Sequence, residues 1–111
     1  MILNARSISS DAVSALHDLV HDRWFDLKEL RFDKKLGLVS LRFGDKRKGP
    51  FDQSLAVAGV AAVNVKDDAH IGIYDIDRLE IDTRKPSLTL TSGFPLQIVV
   101  ELLATWEVRT E

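Results

Sequence analysis

The sequence predicts an α+β domain in which one amino-terminal amphipathic helix packs on a curled, mainly antiparallel sheet of about six strands. Three observations support this: strict alternation over residues 96–109, helical periodicity confined to residues 9–22, and short turn-rich connections between the remaining apolar runs. In the first stretch the even positions are Leu96, Ile98, Val100, Leu102, Ala104, Trp106 and Val108, and the odd ones are Gln97, Val99, Glu101, Leu103, Thr105, Glu107 and Arg109. Successive strand side chains point to opposite sides, so one face is wholly apolar and the other mostly polar. A helix over 97–106 would scatter the same apolar groups around its axis.

The helix begins at Ile8-Ser9-Ser10-Asp11. Ser9 is placed as N-cap, Asp11 suits the amino-terminal dipole, and Ile8 is placed to staple onto Val13. At 100° per residue, Ala12, Val13, Leu16, Leu19 and Val20 share one arc, while Ser14, His17, Asp18 and His21 lie beside or opposite it. The helix runs to about Asp22. Trp24 and Phe25 then read as anchors at the helix exit, because a chain leaving a helix for a sheet needs apolar groups to dock.

Strands are predicted near 27–33 and 38–43, joined by a hairpin at Asp33-Lys34-Lys35-Leu36-Gly37. An Asp opening the turn and a Gly able to take positive φ at its close are the residues such a turn demands. Residues 44–54 hold Gly44, Gly49, Pro50 and a mostly basic cluster, and form the longest loop. Residues 55–65 are apolar on both parities, which predicts a central strand covered on both faces, with Gly59 marking a bulge. Gly59 and four valines argue against a helix in this alanine-rich run. Residues 66–70 turn the chain, Ile71, Ile73, Leu79 and Ile81 alternate around a kink near 74–77, and residues 83–86 turn again. Leu88 and Leu90 are core positions of a short strand, and 92–95 turn into the final one. Short connections favour antiparallel pairing over βαβ crossovers.

A chain of 111 residues is read as a single domain. With 15 Lys plus Arg against 17 Asp plus Glu, its net charge of −2 gives no field that implies nucleic acid or an anionic membrane. Zero cysteines exclude disulfides, thiolate metal sites and cysteine nucleophiles, and fit a reducing, cytoplasmic location. The first residues lack the apolar run of a signal peptide, and no uncharged run reaches the ~20 residues of a membrane helix.

Candidate chemistry is sparse. His17 and His21 stand four apart on the helix, a spacing that puts both rings on one side and could hold a divalent metal, with Asp18 or Asp22 as a carboxylate. The stretch His-Asp-Leu-Val-His differs from His-Glu-x-x-His, however, and exposed helix histidines are the favoured reading. Asp67-Asp68 and Asp75-Ile76-Asp77 match no calcium loop and read as solvated turns. Lys46, Arg47, Lys48, Arg84 and Lys85 would converge at one edge of a simple meander and offer an anion site, against which stands the plainer reading of solvated loop tips. No Gly-x-Ser-x-Gly element occurs.

The sequence therefore reads as a small, non-enzymatic, cytoplasmic domain without a cofactor, acting by binding another protein or a second copy of itself. The alternatives are a small metal-dependent enzyme using His17 and His21, and an anion or small-ligand binder using the basic loops. Self-association follows from areas. About six strands at ~4.8 Å make a sheet roughly 29 Å wide, whereas a helix of about 13 residues is only ~20 Å long and ~10 Å across. Val99 and Leu103 interrupt the polar side of the last strand, so either the sheet curls until its inner face closes on itself, leaving the helix for the remainder, or a second subunit covers what is left, for which a homodimer is favoured.

Overall fold

The structure is a computed structural model that describes all 111 residues. Nine strands and one α-helix follow in the order β1 (Ile2–Asn4), α1 (Ser10–Val20), β2 (Trp24–Asp26), β3 (Arg31–Asp33), β4 (Leu38–Phe43), β5 (Gln53–Asp67), β6 (Ile73–Asp75), β7 (Arg78–Asp82), β8 (Ser87–Thr91) and β9 (Leu96–Thr110). The class is α+β, dominated by antiparallel sheet.

The helix starts where its residues dictate. Ser9 is extended, with φ −147°, and its hydroxyl accepts the Ala12 N–H at 3.1 Å, satisfying a backbone donor that the first turn leaves open. Leu16 and Val20 are the fully buried positions on its apolar side. The turn at 33–37 also follows its residues: Asp33 Oδ1 accepts the Leu36 N–H at 3.1 Å, and Gly37 takes φ +61° before β4 pairs back on β3.

The strand expected over 27–33 divides in two. Asp26 accepts the Lys28 N–H at 3.0 Å and caps a single 3-10 turn over Leu27–Glu29, so only Arg31–Asp33 is strand. The local Asp cap, together with Leu27 N–H bonding to Gly72 O at 2.9 Å, takes these residues out of the ladder.

The main sheet has seven strands instead of about six, and the order β3-β4-β5-β9-β8-β7 replaces the simple meander. β9 inserts between β5 and β8, and its carboxy-terminal half also pairs with β1 through Leu3 and Val108. The sheet is open, ending at β3 and β7. β2 and β6 form a separate two-stranded sheet, tied to the end of β4 by the reciprocal bonds of Trp24 and Gly44 at 2.8 and 2.9 Å.

β5 and β9 are both 15 residues long, and their pairing is broken by register shifts on either side of Val60. Gly59 sits at this point with φ +74°. A Cβ there would lie 2.8 Å from Thr105 O and 2.9 Å from Trp106 Cα, so only glycine lets β9 bend this close.

One cluster of 21 buried apolar residues forms the core. Its sheet side comes from Val39, Leu41 and Phe43 of β4, Leu55, Val57 and Val60 of β5, and Leu96, Ile98, Val100, Leu102, Trp106 and Val108 of β9. Opposite stand Leu16 and Val20 of α1, Phe25 of β2 and Tyr74 of β6. The two-faced reading of the last strand holds at Leu96–Leu102 and again at Trp106 and Val108, but Ala104 is exposed because it lies in the bend.

The expectation that β5 is covered on both faces is corrected. Leu55, Val57 and Val60 are buried, whereas Ala56, Ala58 and Ala62 are half-buried and Ala61 is exposed. Nothing in the chain covers that outer side. Alanine has too little apolar area to demand a cover, so a run apolar on both parities is compatible with one bare face.

Candidate interaction surface

The bare face is built from alternate positions of the paired strands, and its composition follows from the register. One row across the strands is Lys66, Gln97, Thr91 and Arg78; the next is Asn64, Val99, Thr89 and Glu80; the third is Ala62, Glu101, Ser87 and Asp82. None of these residues is buried, and the three on β8 are half-covered by their longer neighbours. Beside the third row a cleft of about 430 Å³ opens between Ala61, Lys85, Pro86, Ser87, Val99, Glu101 and Leu102. Its lining includes Pro86, Val99 and Leu102 together with one cation, Lys85, and one carboxylate, Glu101.

Of the two residues singled out for self-association, Val99 belongs to this side, and Leu103 lies outside the paired positions. Val99 lies at the middle of the face, half-buried between Asn64 and Thr89, and Leu103 is 52% exposed at the bend of β9. The rows themselves were not legible in the sequence. The alternation marked Gln97, Val99 and Glu101 as one side of a strand, but which residues of β5 and β8 stand beside them is a matter of pairing across the chain.

The five cations fall into two groups. Lys46, Arg47 and Lys48 are in the loop after β4, at the end of β9 where Ser54 and Glu111 exchange backbone bonds at 2.8 and 3.0 Å. Arg84 and Lys85 are in the turn after β7, where Pro86 O accepts the Leu102 N–H at 2.9 Å. The meander that would have brought these loops together is not the topology formed, and the two attachments lie far apart along β9. The first group is further organised by the aromatic at the helix exit: Arg47 lies over the Trp24 ring, 5.6 Å from its centroid, and Arg23 pairs with Asp45.

His17 and His21 do share a side of α1, with ring centroids 5.0 Å apart. His17 Nδ1 accepts the Leu79 N–H of β7 at 3.2 Å, and His21 Nδ1 lies 3.4 Å from Asp22 Oδ2. No three His, Asp or Glu side chains gather in ligating positions anywhere in the chain. Beyond His17, a cleft of about 620 Å³ runs between α1 and β7 over Ile8, Val13, Leu79 and Ile81, rimmed by Ser9, Ser10, Ser14 and Thr83.

The remaining acidic residues organise loops. Asp75 Oδ1 accepts the Ser92 hydroxyl at 2.6 Å and the Gly93 N–H at 3.0 Å. Asp67 Oδ1 accepts the Tyr74 hydroxyl and, at 2.9 Å, the His70 N–H. The Tyr74 bond, then the His70 bond, hold the Asp67 carboxyl below its ordinary range; burial, then the same carboxylate, push the Tyr74 phenol up. Of the helix-exit pair, Phe25 is buried and Trp24 half-buried.

What the fold defines is an open antiparallel sheet of seven strands with one helix and a separate two-stranded sheet, their buried residues joined in one core. No protein-family model matches the chain, and no curated protein does. Among solved structures, the chain is similar to an uncharacterized protein from Neisseria gonorrhoeae, with a TM-score of 0.55 and 12% sequence identity over 100% of this chain and 97% of the other. The likeness is one of fold. No helix is long and apolar enough to cross a membrane.

Proposed function

We propose that the chain is a non-enzymatic binding domain that works through the outer face of its seven-stranded sheet, holding a second copy of itself or another protein there. The observation that supports this is the asymmetry of cover. α1, β2 and β6 all lie on the inner side, and the outer side keeps Ala56, Ala58, Ala62, Val99 and Leu38 half-buried beneath no other element. An antiparallel sheet can leave one face to solvent, but a row of small residues on that face lets a flat partner surface approach closely. The anion and metal readings have less support, since the cations are divided between two loops and His17 uses one ring nitrogen within the fold. The absence of cysteine supports a reducing, cytoplasmic setting.

The same absence makes the test clean. Ala62→Cys places a lone thiol on the outer face, and Lys35→Cys places one at the exposed β3–β4 turn as a reference. A polymer-linked maleimide should label the Ala62→Cys variant at least about tenfold more slowly than the Lys35→Cys variant in an extract of the source cells. Equal rates in extract, in dilute purified protein and in purified protein at near-millimolar concentration would remove the outer face as a binding surface.

A further inference from the structure

We infer that a second copy of this chain occupies the outer face, related by a two-fold axis that runs across the strands along the row Asn64, Val99 and Thr89. The inference rests on the outer face being an interaction surface and adds what binds it and in which orientation. The charge pattern leads to it. The row on one side of the axis contains Lys66 and Arg78 and no carboxylate; the row on the other side contains Glu101 and Asp82 and no cation. The rows are two residues apart along each strand, about 6.6 Å.

Two sheets stacked with nearly aligned strands admit two axes lying in the interface. An axis along the strands keeps strand direction and stacks the Lys66 row on itself, like charge on like. An axis across the strands reverses strand direction and stacks the basic row on the acidic row of the other copy. Arg78 then faces Asp82 of the second copy, and Lys66, on β5, faces the neighbourhood of Glu101, one strand away at ~4.8 Å and within reach of a lysine side chain. The two-fold repeats each opposition. The alternation continues outward, with exposed Arg84 and Lys85 beyond the acidic row and exposed Asp68 beyond the basic one. Between the charged rows lie Asn64, Val99 and Thr89, all short side chains.

Glu80 closes the central row at the rim of the interface and would face its own counterpart; Arg78 pairs with it at 3.2 Å within the chain and offsets that opposition, so the Lys66–Glu101 opposition is the one that favours this axis. Neither Lys66 nor Glu101 has an ion-pair partner within the chain, so both are available across the axis.

The area sets the strength. Four strands at ~4.8 Å and about 20 Å of strand length give roughly 400 Å² per copy, about half of the ~800 Å² a standard interface buries on each side. A weak, salt-sensitive dimer follows, forming at micromolar concentrations and above.

Sedimentation velocity of the purified chain from micromolar to near-millimolar concentration tests this. The expected result is a shift from 12.4 kDa towards twice that mass, weakened by added salt. Lys66→Glu and Glu101→Lys should each lower the association constant by at least about tenfold, and the two together should restore it, since the swapped pair meets again across the axis. Circular dichroism checks folding, and if a reversal unfolds the chain, Lys66→Met and Glu101→Gln serve instead, each with partial loss. A mass of 12.4 kDa throughout, single variants without effect, or a double variant that fails to recover would overturn the two-fold arrangement. Protection of the Ala62→Cys thiol in extract while the purified chain stays monomeric would mean that a different protein holds the face; an unprotected Ala62→Cys thiol with a monomeric chain would end both readings.

Discussion

Leu79 donates its backbone N–H to Nδ1 of His17, 3.2 Å away across 62 residues of sequence. β7 is the last strand of the sheet, so this N–H faces away from β8 and has no strand to bond. A histidine on α1 supplies the acceptor that a tenth strand would have supplied, and this fixes the helix against the sheet edge.

Replacing His17 with Leu should therefore cost about 1–2 kcal/mol, because a part-buried donor loses its acceptor while the apolar bulk is kept. Urea denaturation reads the difference. His21→Leu, with an exposed ring, is the control and should cost under about 0.5 kcal/mol.

Gly59→Ala should destabilise by more than about 2 kcal/mol, combining the penalty of a left-handed backbone with the contact of Cβ against Thr105 O. Gly72 has φ +86° and open space where a Cβ would lie, so Gly72→Ala should carry only the backbone penalty, about 1 kcal/mol. Equal losses in thermal melts would show that β9 does not approach β5 closely at the bend.

The Asp67–Tyr74 bond makes stability depend on pH at both extremes. The Asp67 carboxyl is held below its ordinary 3.8, so its contribution is complete above that pH and is lost as the pH falls through the lowered value. The Tyr74 phenol is raised above 10.0, so its contribution is complete below pH 10.0 and is lost as the pH rises through the raised value. Tyr74→Phe keeps the ring and removes the bond. The melting temperature plotted against pH should then fall less steeply in the alkaline limb, and also in the acid limb, where His70 alone still holds Asp67.

Val100→Asp should destabilise by more than about 3 kcal/mol, because it sets an unpaired charge among Leu88, Ile98 and Leu102. Glu101→Lys, one residue on, should change the stability of the monomer by under about 0.5 kcal/mol. Comparable losses in urea melts would contradict the two-faced structure of β9.

Those features that arise between near neighbours could be read from the chain. The start of α1 at Ser9, the turn between Asp33 and Gly37, the parity of residues 96–102 and the bulge at Gly59 each rest on a hydrogen bond, a φ angle or a two-residue period contained in a short stretch. The 3-10 turn at Leu27–Glu29 shows the limit, since the Asp26 cap is local but Gly72, which holds Leu27, is far along the chain. Partners remote in sequence were settled only in three dimensions. Ala62 stands beside Glu101, and Glu101 beside Ser87, because burying Val60, Val100 and Leu88 on one side of the sheet selects that register among many with similar local pattern. The insertion of β9 between β5 and β8, the separation of Lys46 from Arg84, and the basic and acidic rows of the outer face all follow from that selection, which is made by packing of the shared core and not by any one segment.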